Sequence, residues 1–250
     1  MRFELRDSIQ RELYLNGSLY ERADIDLIAS HCSGEGTVFL DIGANLGVYA
    51  FWILSRFPST KVFAFEPNPR TFRQLAETKS LGNYPTLHIV EVALGDAPGT
   101  ASMHATDRNS ACATLGAGLE VRGLDLAGLK EYLVPVMTFD AWWEENRALF
   151  TGAQRFVIKL DVEGFEPRVI KGMSNFLTTQ PVSLILVEFF EGSLRNAGHT
   201  TTELFNILVD SGYAGYSDRE FKIPITAAPP APDPVNVYFR PRVQSTPPPG

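Results

Sequence analysis

Apolar residues along this chain follow two alternating spacings. Short, nearly unbroken runs occur at 38–42 (VFLDI), 61–66 (KVFAFE), 87–94 (LHIVEVAL), 156–161 (FVIKLD) and 183–190 (SLILVEFF). Between them lie stretches whose apolar positions recur every three or four residues. Runs of the first kind predict strands covered on both faces, and stretches of the second kind predict helices that lie against them. The expected helices span 22–32, carried by Ile25, Leu27, Ile28 and Ala29, then 46–57, about 70–81, a segment begun at Pro167, and 201–212. Asn68 is placed to cap the third of these, Pro69 suits its first turn and Gly82 its end. Thr138 similarly predicts a cap for a helix reaching about 149. This alternation implies an α/β fold, a doubly wound and mostly parallel sheet with right-handed crossovers. Short strands at 213–217 and 235–240 would finish it as an antiparallel edge pair.

Two segments break the rhythm and set the domain limits. Residues 1–35 form an N-terminal extension, a short strand or turn followed by the first helix. Residues 36–226 form the main domain, with a substrate-side insertion at about 100–138 in which TASMHA and VPVMT would pair as a hairpin. Long connections of this kind inside compact domains are usually lids or binding loops. From 227 onward the chain holds eight of its 17 prolines, a composition that favours extended structure, interrupted by the strand-like VNVYFR. The last ten residues are expected to be disordered.

At 250 residues with 44% hydrophobic side chains, the chain can bury a substantial core as one domain. A net charge of −7 without any basic run argues against nucleic acid as a partner. Cys32 and Cys112 are the only cysteines, so neither a disulfide framework nor a cysteine-rich zinc site is expected. The opening MRFELRDSIQ carries charge where a signal peptide needs its apolar segment, and no run of about 18 apolar residues is present. A soluble, cytoplasmic protein without a transmembrane segment is the expectation.

The chemistry concentrates first in VFLDIGANLGVYAF, residues 38–51. A strand ends near Asp41, turns through Gly43, Asn45 and Gly47, and leads into a helix. Glycine permits such a turn and lets backbone N–H groups approach a ligand, while the helix start offers unpaired donors. Asparagine tolerates the unusual backbone angles and can stand in at the middle position. Glu66, ending the next strand, could accept both hydroxyls of a ribose. A dinucleotide fingerprint requires glycine where Asn45 and Val48 stand, and no Gly-Lys-Ser or Gly-Lys-Thr phosphate loop occurs.

Together with IKLDVEGFE at 158–166, the DIGANLG motif resembles the FkbM-type family of S-adenosylmethionine-dependent methyltransferases, over about 38–188. The resemblance implies a class I, Rossmann-like, seven-stranded sheet and methyl transfer from S-adenosylmethionine to oxygen, frequently a hydroxyl of a sugar or natural product. It further implies that the backbone at Gly43 and Gly47 passes the amino-acid part of the cofactor, with Asp41 orienting the loop or reaching the ammonium through water. Asn68 would cap its helix or touch the ligand. Ala93 and Leu94 would lie by the adenine, whereas Asp96 is read as a turn residue.

On the acceptor side, Asp161 ends a buried strand, Glu163 follows two residues on, and Glu188 ends the next strand. These three are the candidate catalytic residues, because alkyl transfer from a sulfonium needs alignment and removal of a hydroxyl proton. Asp161 also borders the cofactor site. Asp161 and Glu188 are alternatively candidate ligands for a divalent metal such as magnesium, with Glu188-Phe189-Phe190-Glu191 standing where metal-dependent methyltransferases carry a paired acid or amide. Glu163 could instead pair with Lys159, and Glu166 could favour its helix N-terminus. His199 is a weaker base candidate, and His31, His88 and His104 lack the spacing of a metal triad. Trp142 and Trp143 are read as core. A nicotinamide-dependent oxidoreductase and a noncatalytic interaction module using the proline-rich tail remain the other readings.

Overall fold

The computed structural model describes residues 21–106 and 129–242. Strands β1 (Thr37–Ile42), β2 (Lys61–Phe65), β3 (Leu87–Val90), β7 (Arg155–Leu160) and β8 (Val182–Phe189) form the parallel part of the main sheet. Every residue of β1 is buried, as its unbroken apolar run requires of a strand covered on both faces. The antiparallel strands β9 (Tyr213–Tyr216) and β11 (Val235–Pro241) complete the edge, with β11 inserted between β8 and β9. A two-residue strand, β10 (Pro224–Ile225), extends that edge, so the sheet has eight strands rather than the seven expected. Pro241 closes β11 opposite Tyr213, which moves the strand's end into the stretch expected to be disordered; residues 243–250 lie outside the described residues.

Helices cover both faces. On one lie α1 (Arg22–His31), α2 (Val48–Arg56) and α3 (Pro69–Leu81), contributing Ile25, Ile28, Ile53 and Leu75 to a core shared with Phe39 and Val62. On the other, α4 (Phe139–Asn146), α5 (Glu166–Gly172), α6 (Ser174–Thr179) and α8 (Thr201–Asp210) pack over Leu40, Phe63, Ile158 and Val187. Trp142 and Trp143 sit in this second core, where Phe65 and Phe176 meet them edge-on and Phe139 and Phe150 complete the ring cluster. Full burial of side chains this size contributes about 1.5–3 kcal/mol each. The short helix α7 (Glu191–Asn196) follows β8.

The caps behave as their chemistry dictates. Asn68 Oδ1 accepts from Arg70 N at 3.0 Å, and Thr138 Oγ1 accepts from Ala141 N at 3.2 Å. The α4 helix stops at Asn146, and one 3₁₀ turn carries the chain through Phe150. Gly82 ends α3 in extended backbone, not in the left-handed form.

The apolar run 87–94 is not one strand. β3 leaves the main sheet after Val90, Glu91 turns to solvent, and Ala93–Leu94 becomes β4 in a second, three-stranded sheet. There β4 runs parallel to β6 (Leu129–Met137), which pairs antiparallel with β5 (Gly99–Thr106). The expected hairpin is therefore present, with its second strand beginning earlier than VPVMT. The insertion joining its strands, 107–128, lies outside the described residues, as do residues 1–20.

Asp24, in α1, holds this helix to the far edge of the sheet. Its carboxylate accepts from Arg219 Nε at 2.7 Å and Nη2 at 3.0 Å, from Asn236 Nδ2 at 3.1 Å, and from the Tyr238 hydroxyl. No described helix is long and apolar enough to cross a membrane.

Candidate active site

The first half of the site is the corner between β1 and α2. Gly43, Asn45 and Gly47 all have positive φ, at 77°, 49° and 76°. The amides of Gly43 and Ala44 both donate to Phe65 O, at 3.1 and 2.9 Å, which seats the corner on the end of β2. Glycine is demanded twice over, because a Cβ at Gly43 would lie 1.8 Å from Asp161 O and one at Gly47 would lie 2.5 Å from Leu75 Cδ1. Gly47 gives α2 no side-chain cap, so the helix presents its first N–H groups uncapped at the strand tips.

Glu66 lies just past β2 and is only 6% exposed. Its Oε2 accepts from Asn45 N and its Oε1 from Asn68 N, both at 2.8 Å. One carboxylate therefore ties the glycine corner to the start of α3. Burial pushes Glu66 up to about 7, although the Asn68 and Asn45 amides and the Lys159 ammonium pull it back. Asp41 is fully inside, and neither of its oxygens reaches a hydrogen-bond partner among the described residues. Burial raises it to about 6, against the opposing charge of Lys159. Asn45 Oδ1 is also buried without a partner among the described residues. Uncapped donors, two orphaned side chains and a carboxylate with spare lone pairs on each oxygen suit a ligand rich in amine and hydroxyl groups and free of phosphate. Ala93 and Leu94 are buried in β4 opposite Val136 and Met137, and Asp96 is exposed in the bend that follows.

The second half lies at the tips of β7 and β8. Oxygens of Asp161, Glu163 and Glu188 all fall within 4.8 Å of one another. Asp161 N donates to Ile42 O at 3.1 Å, placing this turn against the glycine corner. Glu163 has φ of 53°, rare for a residue with a side chain. Glu166 Oε1 holds that turn by accepting from Val162 N at 3.0 Å and Gly164 N at 3.2 Å. Glu166 thus does more than favour the start of α5. Burial drives it up to about 7, with those amides opposing the shift. Burial and the neighbouring carboxylates also raise Glu163 and Glu188 well above the ordinary range, Asp161 being the largest charge acting on each.

Lys159 pairs with Asp161, not with Glu163 as the sequence suggested: Nζ is 2.9 Å from Asp161 Oδ2 and donates to Gly43 O at 2.8 Å. Alternation alone would put Lys159, Asp161 and Glu163 on one face, but the strand ends at Leu160 and Glu163 has left-handed backbone, so the chain has turned out of the extended form before Glu163. His199 Nδ1 meets Glu203 Oε2 at 2.9 Å beside the cap of α8. His88 stacks on Phe63, away from the acids. A surface cleft along α3, lined by Phe72, Arg73 and Glu91 among others, shares no residue with the strand-tip site. Sequence reasoning missed the clamping by Glu166 and the bridging by Lys159. The available signals were a carboxylate four residues beyond Val162 and a charge inside an apolar strand.

A parallel sheet finished by an antiparallel edge pair, with a glycine corner beside acidic strand tips, defines the class of S-adenosylmethionine-dependent methyltransferases with a Rossmann-like fold. The chain belongs to the methyltransferase FkbM domain family, which matches residues 41–216. It is similar to the hexuronic acid methyltransferase AglP of Haloferax volcanii, with 29% identity over 161 residues, 63% of this chain and 58% of that protein. It is also similar to methyltransferase 1 of Beauveria bassiana, 24% identical over 153 residues, 56% of this chain and 60% of the relative. The matches thus span less than two thirds of either relative. Among solved structures, magnesium protoporphyrin IX methyltransferase from Synechocystis with bound S-adenosylmethionine aligns over 94% of this chain and 84% of its own, at 8% identity and TM-score 0.47.

Proposed function

We propose that the protein transfers a methyl group from S-adenosylmethionine to a hydroxyl of a small molecule, the sugar of a glycolipid or secondary metabolite. The observation that carries this reading is the meeting of Asp161, Glu163 and Glu188 beside the glycine corner. When bound, S-adenosylmethionine supplies an electrophilic methyl carbon on a sulfonium. Glu66 would receive the ribose hydroxyls on its remaining lone pairs, and the uncapped start of α2 would meet the amino-acid end. Asn68 serves this site through its cap, and Ala93 and Leu94 form the adenine side. The acceptor oxygen would lie against the carboxylate trio. Glu163 or Glu188, in its ionised form, would take the acceptor's proton, and burial beside Asp161 raises the proton affinity of both. AglP is a hexuronic acid methyltransferase, which supports a sugar as acceptor.

The same trio supports a second way of activating the hydroxyl, a magnesium ion on Asp161 and Glu188 that lowers the acceptor's own pKa. EDTA treatment with magnesium add-back separates the two, because full activity after chelation leaves the carboxylates acting alone. The main reading is tested by calorimetry with S-adenosylhomocysteine and NAD, then by a radiolabelled methyl-donor assay across glycosides and lipid extracts with mass analysis of the labelled species. Binding of NAD without S-adenosylhomocysteine would replace the methyltransferase reading by an oxidoreductase.

A further inference from the structure

Lys159 is an ammonium in the middle of an apolar strand, 5% exposed and opposite Asp41 in the β1–β7 register. An apolar side chain would pack there without the desolvation cost of a charge. What the lysine adds is contact with both halves of the site. Its Nζ donates to the carbonyl of Gly43 and pairs with the carboxylate of Asp161, at 2.8 and 2.9 Å, and it lies 5.7 Å from the ring centre of Tyr49 in the first turn of α2. The Gly43–Ala44 peptide is consequently held at both ends, its carbonyl by Lys159 and its N–H by Phe65 O. Burial works against the charge, but the carboxylates of Asp161, Asp41 and Glu21 outweigh it and keep the ammonium protonated.

We propose that Lys159 is a positioning residue that fastens the glycine corner to the Asp161–Glu163 turn, so that the donor and acceptor sides of the site keep one spacing and move together. Assigning those two sides rests on the methyl-transfer reading above; the fastening itself rests on the contacts of Lys159. Arginine cannot substitute, since its planar fork is larger and cannot direct a compact charge at a carbonyl and a carboxylate in so small a space. The tie acts through Gly43 and Asp161, without contact to a reacting atom.

Hydrogen–deuterium exchange on the full chain, without ligand, reads the fastening directly, because the amides of 43–45, 47, 162 and 164 are all hydrogen-bonded. In Lys159→Met, the corner and the 162–164 turn are expected to exchange together, about tenfold faster, while β2, β3 and α8 keep their protection. The double variant Lys159→Met/Asp161→Asn does not strand the Asp161 carboxylate and leaves Asp41 to be buried in its neutral form, so it keeps the test available if the single change prevents folding, and it should show the same paired loosening. Affinity for S-adenosylhomocysteine, by calorimetry, should fall about tenfold in whichever variant folds, consistent with loss of a charge-assisted bond. Uniformly faster exchange, or faster exchange in the turn with an unchanged glycine corner, would overturn the proposal. If the unmodified protein fails to bind S-adenosylhomocysteine, the methyltransferase reading falls, and the exchange pattern still decides the fastening.

Discussion

Replacing Glu66 by glutamine should remove a loss of stability that the ligand-free protein suffers at alkaline pH, while weakening its grip on the cofactor. Glu66 keeps its shape in this change but loses its charge, and the charge is what burial opposes. The folded-state value of about 7 stands above the ordinary 4.5. A group raised in this way adds stability that is complete below about 4.5 and lost as pH climbs through about 7. The gap converts to about 3 kcal/mol. At pH 5 the carboxyl is neutral in the folded state, so the two proteins should differ only by the backbone N–H bond that the amide NH2 cannot accept, about 1–3 kcal/mol in the parent's favour. At pH 8 the parent has lost about 3 kcal/mol from this group and the variant has not. Asp41 and Glu166 carry raised values too and give the parent a sloping background, but that background is common to both proteins and cancels in the difference. Urea unfolding of both chains at pH 5, 6, 7 and 8 without ligand supplies the measurement, and a difference in unfolding free energy that does not change with pH would refute the reasoning. Calorimetry at pH 8 should meanwhile show weaker S-adenosylhomocysteine binding in Glu66→Gln by about ten- to a hundredfold, because one acceptor oxygen becomes a donor.

Gly43→Ala should cost more than about 3 kcal/mol, since left-handed backbone strain of about 1–2 kcal/mol is joined by a collision with Asp161 O, whereas Gly152→Ala, with φ of 82° and nothing within 4 Å, should cost the strain alone; equal midpoints in urea would contradict this. Asp24→Asn should destabilise the fold by about 2 kcal/mol at pH 7, a figure discounted because Arg219 is half exposed. Its hydrogen bonds outweigh burial and hold Asp24 below the ordinary 3.8, so that contribution is present above 3.8 and disappears as pH falls through the lower folded-state value, which acid unfolding of both chains would show. Glu188→Gln should slow methyl transfer about a hundredfold while leaving the thermal midpoint nearly intact, and a parallel loss of both would mark it as structural; Asp161→Asn should slow transfer as much and also lower the midpoint, because it leaves the buried Lys159 ammonium without its partner.

The strand–helix order was legible because β1, β2, β7 and β8 are buried on both faces and so carry unbroken apolar runs. Asn68 and Thr138 were legible as caps because their side-chain chemistry is local. What escaped depended on partners distant in sequence. LHIVEVAL has no local signal that Ala93 and Leu94 would abandon β3 for β6, because the pairing with Val136 and Met137 is not written in the run itself. Lys159 reads as an anomaly in an apolar strand until Gly43, 116 residues away, is placed beside it. Glu66 was singled out for a ligand, yet its two bonds to Asn45 and Asn68 also make it a brace for the corner.

The departure of the chain from the main sheet after Val90 has a consequence for how relatives diversify. Because Ala93 and Leu94 are stitched to β6, one arm of the hairpin, the wall proposed to face the adenine and the β5–β6 pair form a single structural block. Changes on either side of that block should couple rather than add. A graft intended to alter acceptor choice should therefore be cut after Val90 and before Phe139, so that the wall travels with the arm that supports it.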